Sequence, residues 1–286
     1  MIRQERGMRM KVVVTGANGY IGSELTSRLL GMGIDVVALD IDNSNLDKKA
    51  EFIKANIFEG FPKELFENTD ALIHLAWRNG FNHNHPSHLE DLHKHFFFLK
   101  NVIEAGCNNI SVLGTMHEVG YYEGKMDERV ACNPMSLYGI AKNALRQSLE
   151  CYLKNKNVIF HWLRAFYIVG NDIKSNSVFG KLMRASLAGE KEFPFNSGKN
   201  QYDFINLEDL SKQIAAASLQ KDITGIINLC SGVPVSLGDK MDEFIRKNNL
   251  NISLKYGAFP DREYDSPVIY GDNTKIKAIF SNGVGV

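Results

Sequence analysis

Apolar residues in this chain fall into two alternating textures, short unbroken runs and longer stretches in which they return at helical spacing. The runs are Lys11-Val-Val-Val-Thr15, Asp35-Val-Val-Ala-Leu-Asp40, Ala71-Leu-Ile-His-Leu-Ala76, Ile110-Ser-Val-Leu-Gly114 and Val158-Ile-Phe-His-Trp-Leu163. Their length and β-branched content predict buried strands. Between them, Ser23–Leu30, Leu89–Ala105 and Leu137–Leu153 carry the helical pattern. Strand alternating with helix predicts an α/β protein with a Rossmann-type doubly wound parallel sheet, whose ligands gather at the carboxyl ends of the strands. Gly16, Asp40, Ala76, Thr115 and Phe166 all fall at such ends.

The first turn is Gly16-Ala-Asn18-Gly19-Tyr20-Ile21-Gly22, leading straight into the first helical stretch. Glycines there let the backbone approach a pyrophosphate, whose charge then meets free amides and the positive end of the helix dipole. A bare Gly-x-x-Gly-x-x-Gly is a weak signal; a strand on each side and an acid at the end of the second strand make it a strong one. That acid, Asp40, is placed to accept hydrogen bonds from an adenosine ribose. It would repel a 2′-phosphate, and Asp42 adds to the repulsion, so NAD(H) is expected ahead of NADP(H). Beyond about Tyr167 the texture changes to short helices and loops, including Val178–Ala188, Glu208–Leu219 and Met241–Asn248. Residues 1–166 therefore read as an NAD(P)-binding Rossmann domain. Residues 167–286 read as a smaller α/β substrate-binding lobe, some segments of which return to the first domain.

Tyr138 and Lys142 stand four positions apart in the third helical stretch, on one helix face. An ammonium close to a phenol favours the phenolate and is expected to lower the Tyr138 pKa from about 10 toward neutrality, as acid-base work at a carbinol or carbonyl requires. The same spacing occurs in ordinary amphipathic helices, so the pair takes its meaning from its company. Composition narrows the classes further. The chain has 286 residues, with 33 basic and 33 acidic side chains, so no general field attracts nucleic acid or anionic membrane. Cys107, Cys132, Cys151 and Cys230 form no Cys-x-x-Cys pair, which fits reduced thiols in a cytoplasmic protein. No signal peptide and no spanning apolar run is read.

Taken together, Thr15-Gly-Ala-Asn-Gly-Tyr-Ile-Gly22, Asp70-Ala-Leu-Ile-His-Leu-Ala76, Thr115, Tyr138-x-x-x-Lys142, Leu163-Arg164 and Tyr202-Asp-Phe-Ile-Asn-Leu-Glu-Asp209 resemble the extended short-chain dehydrogenase/reductase family, the NAD-dependent epimerase/dehydratase group acting on nucleotide sugars. The resemblance runs along nearly the whole chain in the right order. It implies Tyr138 as the proton donor or acceptor at a sugar oxygen, Lys142 as the group that tunes it and holds the nicotinamide ribose, and Thr115 as the hydrogen-bonding partner of the reacting oxygen. It implies cofactor contacts from Gly16, Asn18, Gly19, Tyr20, Ile21, Gly22, Asp40, Asn56, Ile57, Leu75, Ala76, Trp77, Tyr138, Lys142 and Phe166. It also implies a sugar and nucleotide pocket drawn from Thr115, Met116, His117, Asn176, Phe195, Tyr202 and Arg262, the last suited to bidentate phosphate contact. A homodimer through the helices near Leu89–Ala105 and Leu137–Leu153 is implied as well.

Within the family, dehydratases carry an Asp-Glu pair where this chain has Met116-His117, and epimerase-reductases place a Cys in a segment that here holds none. A 4-keto reductase or a 4-epimerase remains. Leu113–Gly124 and Tyr256–Pro267 resemble the branch that reduces the 4-keto group of dTDP-4-dehydro-6-deoxyglucose, so a dTDP-sugar is the favoured substrate. A non-catalytic dinucleotide sensor on the same fold is the alternative from another class, weakened by the intact Thr115, Tyr138 and Lys142. Asn56 stands where the family has an acid facing the adenine, and Arg146 where it has an acid on the catalytic helix. Asn82-His-Asn-His-Pro-Ser-His88 invites a metal reading, but its spacing lacks a Cys or carboxylate partner, and a polar loop bordering the cofactor and substrate is the plainer expectation.

Overall fold

In chain order the strands are β1 (Lys11–Thr15), β2 (Asp35–Asp40), β3 (Glu51–Lys54), β4 (Ala71–His74), β5 (Asn109–Thr115), β6 (Gly124–Met126), β7 (Ile159–Ala165), β8 (Tyr167–Val169), β9 (Glu192–Pro194), β10 (Gln201–Asn206), β11 (Gly225–Leu229), β12 (Pro234–Ser236), β13 (Ser253–Lys255) and β14 (Val268–Gly271). The helices are α1 (Tyr20–Gly31), α2 (Ser87–Glu104), α3 (Leu137–Leu153), α4 (Val178–Leu187), α5 (Leu207–Leu219), α6 (Leu237–Lys247) and α7 (Thr274–Ser281). This computed structural model describes residues 9–170, 173, 177–261 and 265–283.

Seven strands form one parallel sheet in the order β11-β7-β5-β4-β1-β2-β3. Successive side chains of a strand face opposite sides, so the uninterrupted apolar β1 supplies both layers. Val12 and Val14 enter a core with α1, α5 and α7, while Val13 enters a second core with α2 and α3. Strand order reverses between β1 and β4, the point at which sheets of this topology take ligands at the carboxyl ends of their strands. A second sheet, β12-β10-β14-β6 with β8 beside β10, and the pair β13-β9 form the smaller layer with α4 and α6. Helix α5 and strand β11 return to the large sheet from the middle of that layer.

The predicted strands are all present, β1 and β2 with the expected ends and the other three with shifted ones. β4 stops at His74, but Leu75 still donates to the Thr15 carbonyl at 3.0 Å, so the chain leaves the sheet beside the glycine turn. β3 and β11 had no counterpart in the pattern: Glu51-Phe-Ile-Lys54 is a half-exposed edge strand, and Gly225-Ile-Ile-Asn-Leu229 opens on a glycine and is broken by Asn228. α3 and α4 start where their apolar periodicity starts, whereas α5 and α6 start earlier, at first turns set by capping side chains. Asn206 and Ser236 accept from the amides of Asp209 and Asp239 at the starts of α5 and α6. No helix among the described residues is long and apolar enough to cross a membrane.

Candidate active site

The loop that follows β4 caps the helix carrying Tyr138. The His83 carbonyl accepts the Tyr138 amide at 2.8 Å, the Asn84 side chain accepts from Leu137, and Ser136 caps α3 by accepting from Gly139. Tyr138 is thus fixed in the first turn. Lys142, one turn further on the same face, is 2% exposed. Its Nζ donates to the Leu113 carbonyl at 2.7 Å and lies 3.8 Å from the centre of the Trp77 ring. Thr115 ends β5, where its hydroxyl accepts from the His117 amide and hydrogen-bonds Tyr138.

Burial dominates the electrostatics. It pushes the Tyr138 phenol up to about 12, against the Thr115 hydrogen bond, and the buried Glu118 carboxylate adds to the rise. Burial also brings the Lys142 ammonium down to about 7, with Glu118 opposing. The expectation that Lys142 lowers the phenol is therefore corrected for the protein alone: the ammonium sits 6.0 Å from the phenol ring centre and is itself close to neutralisation. Desolvation outweighs that separation.

Aromatic side chains surround Tyr138. His83 stacks on it at 5.2 Å and 19°, Trp77 meets it edge-on at 6.1 Å, and His88 and His117 lie at 5.2 and 6.4 Å. Tyr202 joins through Tyr167, whose ring is 4.6 Å from Tyr202 and 5.8 Å from His117. Met116 is buried beneath, in the core of the smaller layer. Thr115, Met116, His117, Tyr138, Lys142, Trp77 and Tyr202 are thereby brought together. Phe195 is not, being buried inside the smaller layer with its ring against Tyr256. Phe166 is buried in the same core. Asn56 spends its side chain on Phe58 and Glu59 just beyond β3, and the neighbouring Ile57 packs against the core with α2 and α3. Asn176 and Arg262 lie outside the described residues.

The glycine turn suits a dinucleotide. Gly16 has φ +68°, and a Cβ there would stand 2.6 Å from the Ala76 nitrogen; one on Gly22 would stand 2.1 Å from the Gly16 carbonyl. The glycines therefore let the turn pack closely on itself and on the chain leaving β4, and Gly19 precedes α1 with no side chain capping its first amides. Asp40 closes the turn: it accepts from the amides of Asn18 at 2.9 Å and Ile41 at 2.7 Å, while Asn18 is also held by Asp42 and Asn45. Tyr20 packs so tightly on Gly170 that a Cβ at Gly170 would meet its hydroxyl. Ile21 and Leu75 anchor the turn in the core with α1, α5 and α7.

The histidines of the loop are used as polar supports. Trp77 Nε1 donates to His88 Nδ1 at 3.0 Å, leaving the other ring nitrogen of His88 to donate to the Asn82 carbonyl. Among the described residues, no group of three or more His, Cys, Asp or Glu is placed to hold a metal ion. One group that sequence reasoning missed is Glu118. Its fully buried carboxylate accepts from Trp162 Nε1 and from Arg164 Nε, each at 2.7 Å, and so ties the turn after Thr115 to β7. Nothing in the sequence distinguishes Glu118 from a surface acid, because its partners are more than forty positions away.

The model of the NAD dependent epimerase/dehydratase family matches residues 12–230. The dTDP-6-deoxy-L-talose 4-dehydrogenase (NAD(+)) of Aggregatibacter actinomycetemcomitans is 43% identical over 269 residues, 92% of this chain and 99% of that protein. A Bacillus subtilis protein named as an uncharacterized UDP-glucose epimerase is 28% identical over 227 residues, 72% of each chain. The structure is similar to the UDP-N-acetylglucosamine 4-epimerase of Methanobrevibacter ruminantium in complex with UDP-N-acetylmuramic acid, with a TM-score of 0.83, 20% identity, and coverage of 95% of this chain and 92% of the other. The glycine turn, the strand order and these matches lead to one statement of kinship: this chain belongs to the NAD dependent epimerase/dehydratase family.

Proposed function

We propose that this protein interconverts the 4-hydroxyl and 4-keto forms of a dTDP-linked 6-deoxyhexose with NAD(H), working in the cell as a 4-keto reductase. The carrying observation is the joining of Thr115, Tyr138 and Lys142 at the carboxyl end of β5. The 43% identical dTDP-6-deoxy-L-talose 4-dehydrogenase supports both the sugar class and the cofactor. NAD(H), when bound, supplies the hydride chemistry, and the protein supplies orientation and proton movement. Gly16, Gly19 and Gly22 would receive its pyrophosphate, Asp40 its adenosine ribose, and Lys142 its nicotinamide ribose. Thr115 would hold the sugar oxygen against the Tyr138 hydroxyl, which gives that oxygen a proton in reduction and takes it back in oxidation. A phenol that burial keeps protonated suits the reducing direction.

The reading includes a cytoplasmic homodimer across α2 and α3, where Leu89, Phe97 and Ile140 are exposed apolar groups; sedimentation velocity tests that part. The test of the activity is to incubate the protein with NADH and dTDP-4-keto-6-deoxyglucose, follow cofactor oxidation and identify the product by NMR. Stoichiometric NADH consumption with a 6-deoxyhexose product is expected. Interconversion of two nucleotide sugars without net NADH loss would instead establish the 4-epimerase reading, favoured by the epimerase-named relative. No turnover of thymidine, uridine, cytidine or guanosine diphosphate sugars would overturn both.

A further inference from the structure

The chain has 8 histidines, and the structure sorts them by what their ring nitrogens meet. His74 bonds Thr15 and His95, His85 bonds Ser87, His88 bonds Trp77 and Asn82, and His161 bonds Ser111. His93 is exposed on α2. His83 and His117 are different: both are half-buried, yet neither ring has a hydrogen-bond partner among the described residues. Their orientation is nevertheless set. The two rings meet edge-on with centres 4.5 Å apart, His83 lies flat on Tyr138, and His117 abuts Tyr167. Both are carried by backbone that also fixes the reacting groups, since the His83 carbonyl holds the Tyr138 amide and the His117 amide holds the Thr115 hydroxyl.

We infer that His83 and His117 form one wall of the sugar pocket and together hydrogen-bond the hydroxyl beside the reacting carbon. This rests on the proposed reaction at C4 of a 6-deoxyhexose. There the neighbouring C5 bears only the ring oxygen, a hydrogen and the methyl carbon, so the hydroxyl in question is the one on C3. Two ordered, half-buried rings whose four nitrogens meet no partner among the described residues, beside a candidate reaction centre, offer a ligand donors and acceptors already set in direction. A neutral imidazole offers one donor and one acceptor, which a hydroxyl complements. Burial lowers the basicity of both rings, His117 to about 3, so both are neutral at pH 7. A pocket built to bond a hydroxyl rejects the analogue lacking it, because its own polar groups are left unpaired.

The experiment compares wild type with His83→Phe and His117→Phe, which keep a flat ring and remove the nitrogens. Substrates are the dTDP-6-deoxyhexose and its 3-deoxy analogue. For wild type, KM for the 3-deoxy sugar should exceed that for the parent by about tenfold. Each variant should raise KM for the parent by about tenfold and show no further loss with the 3-deoxy sugar, the non-additivity expected of one shared interaction. The NAD(H) Kd, from quenching of tryptophan fluorescence, should stay within about twofold of wild type. His83→Asn, which restores one donor and one acceptor, should recover part of the loss and guards against a misfolded His83→Phe. Wild-type turnover of the parent sugar with unchanged KM in both phenylalanine variants overturns the imidazole wall and leaves the proposed function standing. Absence of wild-type turnover on every nucleotide sugar overturns the function and this inference with it.

Discussion

At the scale of single residues, the contrast between Tyr138 and Lys142 sets the chemistry. A phenol near 12 and an ammonium near 7 mean that the protein alone holds its proton on oxygen at neutral pH and has little positive charge to spare. In the proposed reaction the Tyr138 proton is the one delivered to the sugar oxygen. Tyr138→Phe should lower kcat by at least about 10²-fold, the ordinary worth of a positioned acid-base group, while NAD(H) binding stays intact. Turnover near the wild-type rate would refute that role. In the proposed reading Asp40 receives the adenosine ribose. Its carboxylate is oriented by the Asn18 and Ile41 amides, and Asp42 is tied to the same loop through Asn18, so two acids would oppose a 2′-phosphate there. Wild-type kcat/KM should favour NADH over NADPH by about 10²-fold, and Asp40→Ala should shrink that ratio at least about tenfold. A wild-type preference for NADPH would remove Asp40 from its ribose role.

At the scale of elements, the turn that follows β5 is held from behind. Glu118 lies in a short 3-10 segment, Met116–Glu118, and meets Arg164 on β7 with both side chains fully buried. Arg146 on α3 stands 4.0 Å from the same carboxylate. Removing one member of a buried pair leaves an uncompensated charge, so Glu118→Ala should cost about 3–5 kcal/mol in urea unfolding. A loss below about 1 kcal/mol would show that the network does not hold the turn. Such networks also mark the limit of what was legible in the sequence. The glycine turn, Asp40 and the Tyr138/Lys142 face were readable because their function depends on local spacing, which a helix or a turn preserves. The strands at both edges of the large sheet were not, because Glu51–Lys54 is too polar and the apolar run of Gly225–Leu229 opens on a glycine and is broken by Asn228. The ring cluster around Tyr138 was hidden for another reason. His83 reaches Tyr138 only because the loop after β4 caps α3, a contact between segments that sequence spacing does not record.

At the scale of the whole molecule, the same burial that shapes the site decides how stability follows pH. His74 and His117 are held down to about 3 and His161 to about 4, mainly by burial. In the unfolded chain each takes up its proton near 6.5. From about pH 6.5 downward the unfolded state therefore binds protons that the folded state refuses, and stability falls on acidification. Glu243 and Asp272, held near 2 chiefly by their lysine partners, add a loss of the same sign below about pH 4. Lys142 acts higher up. Its folded value of about 7 lies below the unfolded 10.5, so between those limits the unfolded chain again binds the extra proton and stability rises with pH. One proton of difference corresponds to about 1.4 kcal/mol per pH unit. Tyr138 and the buried Cys107 and Cys230 thiols have the opposite sign, but Tyr138 loses its contribution only above about pH 10 and the thiols theirs only above about pH 8.5. The cofactor-free protein should accordingly gain stability from pH 5 to about pH 8 instead of peaking near neutrality. Urea unfolding at pH 5, 7 and 8 measures this, and Lys142→Met should flatten the arm between 7 and 8 while leaving the acid arm unchanged. If wild type and Lys142→Met show the same dependence between pH 7 and 8, Lys142 keeps its charge in the fold. The Trp77 ring and the Leu113 carbonyl would then be enough to hold a full ammonium beside Tyr138.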